Sequence, residues 1–395
     1  MAGRRLAERV EPPDRTDSVA RDAIAGRIVA AAVTVPDDVP PTDFATMDGF
    51  AVATDDGGDL RVVGSVEPAD AAPAIDRGEA VRVATGAPLP ERADAVVPVE
   101  DATVTDDQLA PPDLEPGTNA YPAGATAAAG ERLFEPGDRL AARHAALLAD
   151  VGVESVTVYE PWSVGILATG TEIHEGEQPD RDSEMLANLV RRWGGEPTLL
   201  GSIPDEEPAV REAIESAAAS HDAVLTSGGT SVGRGDHVGT ALAAHDLLFT
   251  GVALRPGRPV TAALVDGTPV VGLPGKPMAA HTAATLVARP AFAGGDATLP
   301  TRPATPTARV ELPDTDADVE YAVPVRLTDA GAVPLGHGDS SHQLYRTGSD
   351  GADSRFAPGR VASSTRVALT DGVVVTTEPL SPDDPAAVVP WGVVE

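Results

Sequence analysis

No cysteine occurs in the 395 residues, which removes disulfides, thiolate nucleophiles and cysteine-ligated metals from consideration. Lysine is nearly as scarce: Lys276 is the single one among 29 basic residues, the rest being arginine. Aromatic residues make up only 3%. No apolar run is long enough to span a bilayer. Arg4-Arg5 opens like a twin-arginine export signal, but Leu-Ala-Glu-Arg-Val-Glu-Pro-Pro follows instead of an apolar h-region. The chain therefore reads as cytoplasmic, with no membrane partner. Positive charge is short overall. Against 61 acidic residues the formal net charge is −32, which argues against nucleic acid, whose phosphates demand a basic face. Such acid-rich, lysine-poor sequences are typical of salt-loaded cytosols, where the Debye length falls to about 3 Å at 1 M salt and self-repulsion is screened. GC-rich coding bias is the alternative reading.

What is present is a patterned, globular chain, 42% hydrophobic and long enough for two to four domains. Val19, Ile24 and Ile28 predict a helix over Ser18 to Ala32. Prolines then open an extended stretch that ends in the turn signal Asp48-Gly49. From about Asp55 to Gly117, short valine-rich runs (Leu60 to Val66, Ala80 to Ala84, Ala95 to Val99) predict a small β domain. Asp138 is expected to cap a helix carrying Leu140, His144, Leu147 and Leu148. From Trp162 the rhythm is strand, helix, strand. Strands are expected at Val164 to Ala168, Thr198 to Leu200, Ala223 to Leu225 and Val270 to Leu273. Between them, helices start at Asp182 or Ser183, at Asp205, and near Pro277. This alternation predicts an α/β multidomain protein built on a doubly wound parallel sheet. After about Pro300 a Pro- and Asp-rich connector leads to further β runs: Tyr321 to Leu327, Arg366 to Leu369, Val373 to Thr377 and Ala386 to Val389. A polar loop, Gly336 to His342, lies between them and contains Ser340.

In such a sheet ligands bind outside the carboxyl ends of the strands. The groups expected there are Thr169-Gly170-Thr171-Glu172, Asp205, the loop from Ser227 to Asp236, and Leu273-Pro274-Gly275-Lys276. Gly228 and Gly229 admit close backbone approach, and the hydroxyls of Ser227, Thr230 and Ser231 are donors for an anion. Carboxylates beside them suit a divalent cation, so a phosphate-bearing ligand with Mg²⁺ fits the mixture. Asp205 also reads as a plain helix cap. Competing motifs fail on spacing. Gly275-Lys276 lacks the P-loop's first glycine and its Ser/Thr, the glycines at 233, 235 and 239 are one residue off the dinucleotide fingerprint, and in Gly-Thr-Ser-Val-Gly (229–233) the pair Gly228-Gly229 intervenes before the serine that a nucleophile elbow needs on the strand-to-helix turn itself.

Seven segments taken in order carry a resemblance. They are Met-Asp-Gly-Phe-Ala (47–51), Thr-Gly-Ala-Pro-Leu-Pro (85–90), Ala-Asp-Ala-Val-Val (93–97), Thr-Gly-Thr-Glu (169–172), Ser-Gly-Gly-Thr-Ser-Val-Gly (227–233) with Asp236, Arg-Pro-Gly-Arg-Pro (255–259) and Gly-Leu-Pro-Gly-Lys-Pro (272–277). From about Thr16 onward the chain resembles the molybdopterin molybdenumtransferases of the MoeA and gephyrin E-domain type, as a divergent, haloarchaeal-like member. The resemblance implies a helical stalk and dimerisation domain (1–55 with 118–161), an inserted β domain (56–117), a molybdopterin-binding α/β domain (162–299) and a C-terminal β-barrel (300–395). It further implies insertion of molybdate or tungstate into adenylylated molybdopterin, with release of AMP and dependence on Mg²⁺. A homodimer is expected, with Asp48 and Thr85 of the partner subunit closing the cleft. A molybdopterin adenylyltransferase and molybdopterin-dependent apoenzymes are expected as partners. Glu172, Asp205 and Asp236 match acidic, metal-binding positions. Arg255 and Arg258 match a basic Lys-Pro-Gly-Lys segment, and Thr169, Gly170, Pro274, Gly275, Lys276 and Ser340 fall with the cofactor-binding set.

The chain also departs from that pattern. An acid expected near Thr126 is absent, a site lysine is replaced by Gly251, the asparagine of Leu-Pro-Gly-Asn-Pro is Lys276, and the Asp-Thr-Asn run reads Asp182-Ser183-Glu184. These departures leave open a molybdopterin-binding or scaffold paralogue with a weakened site. They also raise the expectation that Lys276 supplies, in the crevice of Arg255 and Asp236, the charge missing at Gly251.

Overall fold

The computed structural model describes residues 2–230, 236–292, 298–313, 318–337 and 354–394. The chain forms two units, residues 16–159 and residues 1–15 with 160–395.

In the smaller unit the six-stranded sheet runs Ala95–Pro98, Gly49–Val52, Glu79–Val83, Leu60–Val66, Gln108–Ala110, Thr103–Thr105. Alternation along Gly49–Val52 supplies both faces: Phe50 and Val52 join one core, Ala51 the other. That strand precedes the expected domain start at residue 56. Three short ribbons complete the unit, pairing Thr16–Ala20 with Ser155–Tyr159, Val33–Thr34 with Arg132–Phe134, and Phe44–Ala45 with Ala120–Tyr121. The helix predicted over 18–32 is absent. Val19 sits in a strand opposite Val156, and the chain turns so that Ile24 and Val29 are buried with Val156 and Val158. Intervals of five and four residues do not separate a helix from such a path. The helix expected after Asp138 is only His144–Asp150, while the Asp138 carboxylate accepts from the Glu135 N–H at 2.7 Å.

The larger unit carries the doubly wound sheet. Its elements are β1 (Ser163–Thr169), α1 (Ser183–Trp193), β2 (Glu196–Ile203), α2 (Glu207–Ala218), β3 (Ala223–Ser227), α3 (His237–Leu242), β4 (Asp246–Thr250), β5 (Thr261–Val265), β6 (Thr268–Leu273) and α4 (Pro277–Ala283). Strand order is β2-β1-β3-β6-β5-β4. The first four are parallel, and β5 and β4 continue the sheet antiparallel. Both faces are covered, so the central strands are buried throughout and read as continuous apolar runs. Ile166 and Leu225 pack with Leu186 and Val190 of α1, while Leu167 and Val224 pack with Val210 and Ile214 of α2. A short helix, Ala2–Ala7, buries Leu6 in the same core as Val287 and Phe292, so the first fifteen residues belong here and not to the smaller unit's ribbons.

A second sheet follows the order Leu254–Arg255, Glu320–Thr328, Gly372–Thr376, Ala386–Pro390, Arg302–Ala304, with Gly331–Pro334 paired to Glu320–Thr328. Its first strand lies inside the region assigned from sequence to the α/β domain. The expected strand at 366–369 is a 3₁₀ turn, Thr365–Leu369, that buries Val367 alone.

Candidate functional site

Strand order changes direction beside β1, where β2 and β3 lie on opposite sides, so the loops after these strands part and leave a crevice. A cleft of about 540 Å³ occupies it. Thr169 ends β1 buried, and its hydroxyl donates to the Ser227 carbonyl at 3.2 Å. Gly228 follows β3 at φ +90°. A Cβ there would lie 2.3 Å from the Thr169 carbonyl oxygen, so only glycine fits. The Gly228 N–H donates to Leu273 O at 3.2 Å, as does the Thr230 hydroxyl at 3.1 Å, which ties the β3 and β6 loops together. Gly275 packs against Gly228, its Cβ position 3.0 Å from the Gly228 Cα. Among the described residues, the N–H groups of Gly229, Thr230, Gly275 and Lys276 donate to no protein acceptor. These form a ready anion cradle.

Most residues expected at the site share this cleft. Thr169, Gly170, Glu172 and Asp205 line it from β1 and β2, Ser227, Gly228, Gly229 and Thr230 from β3. Arg255, Arg258, Pro274, Gly275 and Lys276 complete the opposite wall. Lys276 therefore shares a cleft with Arg255 and Arg258, whereas Gly251 lines other grooves. The cleft is bipolar, with three cations facing three carboxylates.

The third carboxylate is Asp182, expected from sequence as a helix cap and as the first residue of the altered Asp-Thr-Asn run. It makes no capping bond to α1. Its Oδ2 accepts from the Ser227 hydroxyl, and burial pushes its carboxyl above the usual range, the serine bond opposing that rise. Asp182 Oδ1 and Asp205 Oδ1 are both buried without a partner among the described residues. Asp205 does not cap α2 either: Glu206 holds the cap position, and the Asp205 N–H donates to the Thr171 hydroxyl at 3.1 Å.

Asp236 has the reverse history. Its Oδ1 accepts from the Gly239 N–H at 2.8 Å, capping α3, and it does not line the cleft. Glu172, Asp205 and Asp236 thus do not form a ready-made cage. Among the described residues no three His, Cys, Asp or Glu side chains converge where a metal ion could sit. Ser231 and Ser340 lie outside the described residues. Asp48 and Thr85 belong to the smaller unit, where Thr85 donates its N–H and its hydroxyl to Asp48 Oδ1, each at 2.8 Å. Those two bonds, backbone first, hold the exposed Asp48 carboxyl below the usual range, helped by Arg82. Sequence reading also missed Pro358, Gly359 and Ala362, which reach the cleft from a short helix after the second sheet. Nothing in their local pattern marks them.

A crevice at the switch point of a doubly wound sheet, with backbone N–H groups and cations on one wall and carboxylates on the other, is the place where α/β proteins of this class bind nucleotides and cofactors. Residues 2–152 match the MoeA N-terminal region (domain I and II), and residues 165–294 match the probable molybdopterin binding domain. The chain is 33% identical over 299 residues to a molybdopterin molybdenumtransferase of Nostoc sp., covering 69% of this chain and 68% of that one. It is 30% identical to another from Haemophilus influenzae, covering 71% and 73%. Among solved structures, a molybdopterin biosynthesis MoeA protein from Pyrococcus horikosii superimposes with a TM-score of 0.78 at 26% identity, covering 99% of this chain and 98% of that one. The chain belongs to the molybdopterin molybdenumtransferase family.

Proposed function

We propose that the protein is an enzyme of molybdenum cofactor biosynthesis that inserts molybdate into adenylylated molybdopterin and releases AMP. The observation that carries this reading is the bipolar cleft. The N–H groups of Gly229, Thr230, Gly275 and Lys276, which have no acceptor among the described residues, suit the phosphate of an adenylylated ligand. Arg255, Arg258 and Lys276 suit the dianionic oxometalate, as forked and point-charge donors respectively. Together they hold two anions that would otherwise repel each other in one crevice of low dielectric, which is the electrostatic part of the catalysis.

Mg²⁺ fits this donor set in a restricted way. The ion keeps several waters and is commonly held by one or two carboxylates plus substrate phosphates, so no three-carboxylate cage is needed. Asp205, with a buried unpartnered oxygen, and Glu172 on the same cleft would hold it; the bound ion would polarise the phosphate and neutralise charge on the departing AMP. The alternative of a weakened scaffold paralogue is not favoured, because the relatives are named as transferases and the cleft retains both walls. A homodimer in which the partner subunit supplies Asp48 and Thr85 belongs to the same proposal, as do exchanges with an adenylyltransferase and recipient apoenzymes. Purified protein incubated with adenylylated molybdopterin, Mg²⁺ and molybdate should release AMP; no release with any oxometalate would reject the reaction. Sedimentation in working salt should show a dimer, and a monomer would reject the two-subunit site.

A further inference from the structure

We infer that Asp182 is the residue that recognises the heterocycle, accepting hydrogen bonds from the 2-amino-4-oxo pyrimidine edge of the pterin. This deepens the function proposed above and rests on it. Asp182 is 6% exposed and lines the cleft, and its two oxygens have different fates. Oδ2 is taken by the Ser227 hydroxyl at the end of β3. Oδ1 is buried and has no donor among the described residues. A buried acceptor left in this state is costly unless something outside the chain supplies a donor. The backbone that carries it is also held in place: Asp180 Oδ1 accepts from the backbone N–H of both Asp182 and Ser183, at 2.9 and 3.0 Å. A rigid carboxylate whose second oxygen is already occupied is suited to reading one donor edge.

The ligand's own chemistry says which edge. Its phosphate and the oxometalate are acceptors and belong with the N–H groups and cations of the opposite wall. Its donors lie on the two heterocycles: the adenine amine is flanked by ring nitrogens that only accept, whereas the pyrimidinone edge of the pterin sets an exocyclic amine beside a ring N–H, two adjacent donors that suit a carboxylate. An acceptor that reads an amine rejects the analogue lacking it, because the buried oxygen then stays unpaired. Glu172 and Asp205 are less suited to this task. Both are more exposed than Asp182, and neither is anchored by a hydroxyl from a neighbouring strand.

The test uses free pterin and lumazine, which carries an oxo group in place of the 2-amino group. Titration of the intact protein, followed by ligand fluorescence, should show pterin binding roughly 10- to 100-fold more tightly than lumazine. Asp182→Asn should weaken pterin to the level of lumazine and erase the preference. Ser227→Ala, which leaves the carboxylate in place, should keep a preference for pterin while weakening both ligands slightly. Circular dichroism confirms that each variant folds. A preserved pterin preference in Asp182→Asn overturns the inference, as does absence of pterin binding at its solubility limit. So does loss of Mn²⁺ binding in Asp182→Asn with pterin selectivity intact, which would make the residue a metal ligand. The proposed reaction fails separately: pterin selectivity without AMP release leaves the inference standing and rejects the transferase step.

Discussion

Replacing Gly228 by alanine isolates the closest backbone approach in the cleft. Two costs are combined there. The first is conformational: φ is +90°, and an L-residue in the left-handed region costs about 1–2 kcal/mol. The second is steric. The new Cβ would lie 2.3 Å from the Thr169 carbonyl oxygen and 2.9 Å from its hydroxyl. Because the first contact is to backbone, relief requires β1 and β3 to separate at their ends, an overpacking cost of about 1–3 kcal/mol. Gly267 provides an internal control. Its φ is +92°, yet nothing lies within 4 Å of its Cβ position, so Gly267→Ala carries the first cost alone. Both glycines lie in the larger unit, and so do all three tryptophans, Trp162, Trp193 and Trp391. Urea unfolding followed by tryptophan fluorescence therefore reports on the same transition for both variants. Gly228→Ala should be less stable than Gly267→Ala by about 2 kcal/mol. It should also lose most AMP release, since the displaced loop carries the Gly229 and Thr230 N–H groups. Equal destabilisation would show that the loop moves freely and that the cradle is not rigid.

Other outcomes follow from the charges. Burial raises the Asp182 pKa above its unfolded value of about 3.9, so its contribution to stability is full below that value and is lost as pH rises through the folded one. Asp182→Asn should therefore gain stability relative to wild type as pH rises above about 4; a pH-independent difference would refute this. Arg15 donates two bonds to Asp222 and one to Glu160, and its hydrogen bond is the leading cause of the lowered Asp222 pKa. That stability is present above about pH 3.9 and is lost as pH falls through the folded value, so Arg15→Leu should cost about 1 kcal/mol at pH 7, discounted for exposure, and little in acid. Thr85→Val removes the hydroxyl donor to Asp48 but keeps the N–H, so the Asp48 carboxyl should titrate higher than in wild type by carboxylate NMR. With a net charge of −32, the melting temperature should rise by roughly 5–10 °C from about 0.1 M to about 2 M KCl, and a flat response would set aside a halophilic origin for the composition.

The α/β unit was legible because its signals are local and strong. A strand covered on both faces must be apolar throughout, so β1, β3 and β6 stand out as runs ending in Gly, Ser and Thr, and the switch-point rule then places the cleft. The smaller unit was less legible. Its strands between 16 and 52 run from two to five residues and pair with segments about 30 to 140 residues away, so no periodic window marks them. Val19 illustrates the ambiguity, since its apolar neighbours occur at intervals that suit a helix almost as well as the path they take. Pro358 and Gly359 join the cleft through tertiary packing alone, about 75 residues beyond α4.

Asp182 and Asp236 show where local reading stops. Each stands just before a helix, and each follows a loop containing charged residues, so sequence assigns one to capping and the other to the cleft with equal ease. What separates them is the environment of their carboxylates. Gly239, three residues beyond Asp236, presents the N–H an N-cap needs, and a Cβ at Gly239 would lie 2.4 Å from Asp236 Oδ1. That glycine keeps the cap bond close. Asp182 makes no such bond with α1 and meets instead a hydroxyl 45 residues away, on the strand at the middle of the sheet. A cap spends its oxygens within four residues, whereas a site carboxylate keeps one for a group the chain does not contain. Asp182, with Oδ1 buried and without a partner among the described residues, meets the second description, and Asp236 meets the first.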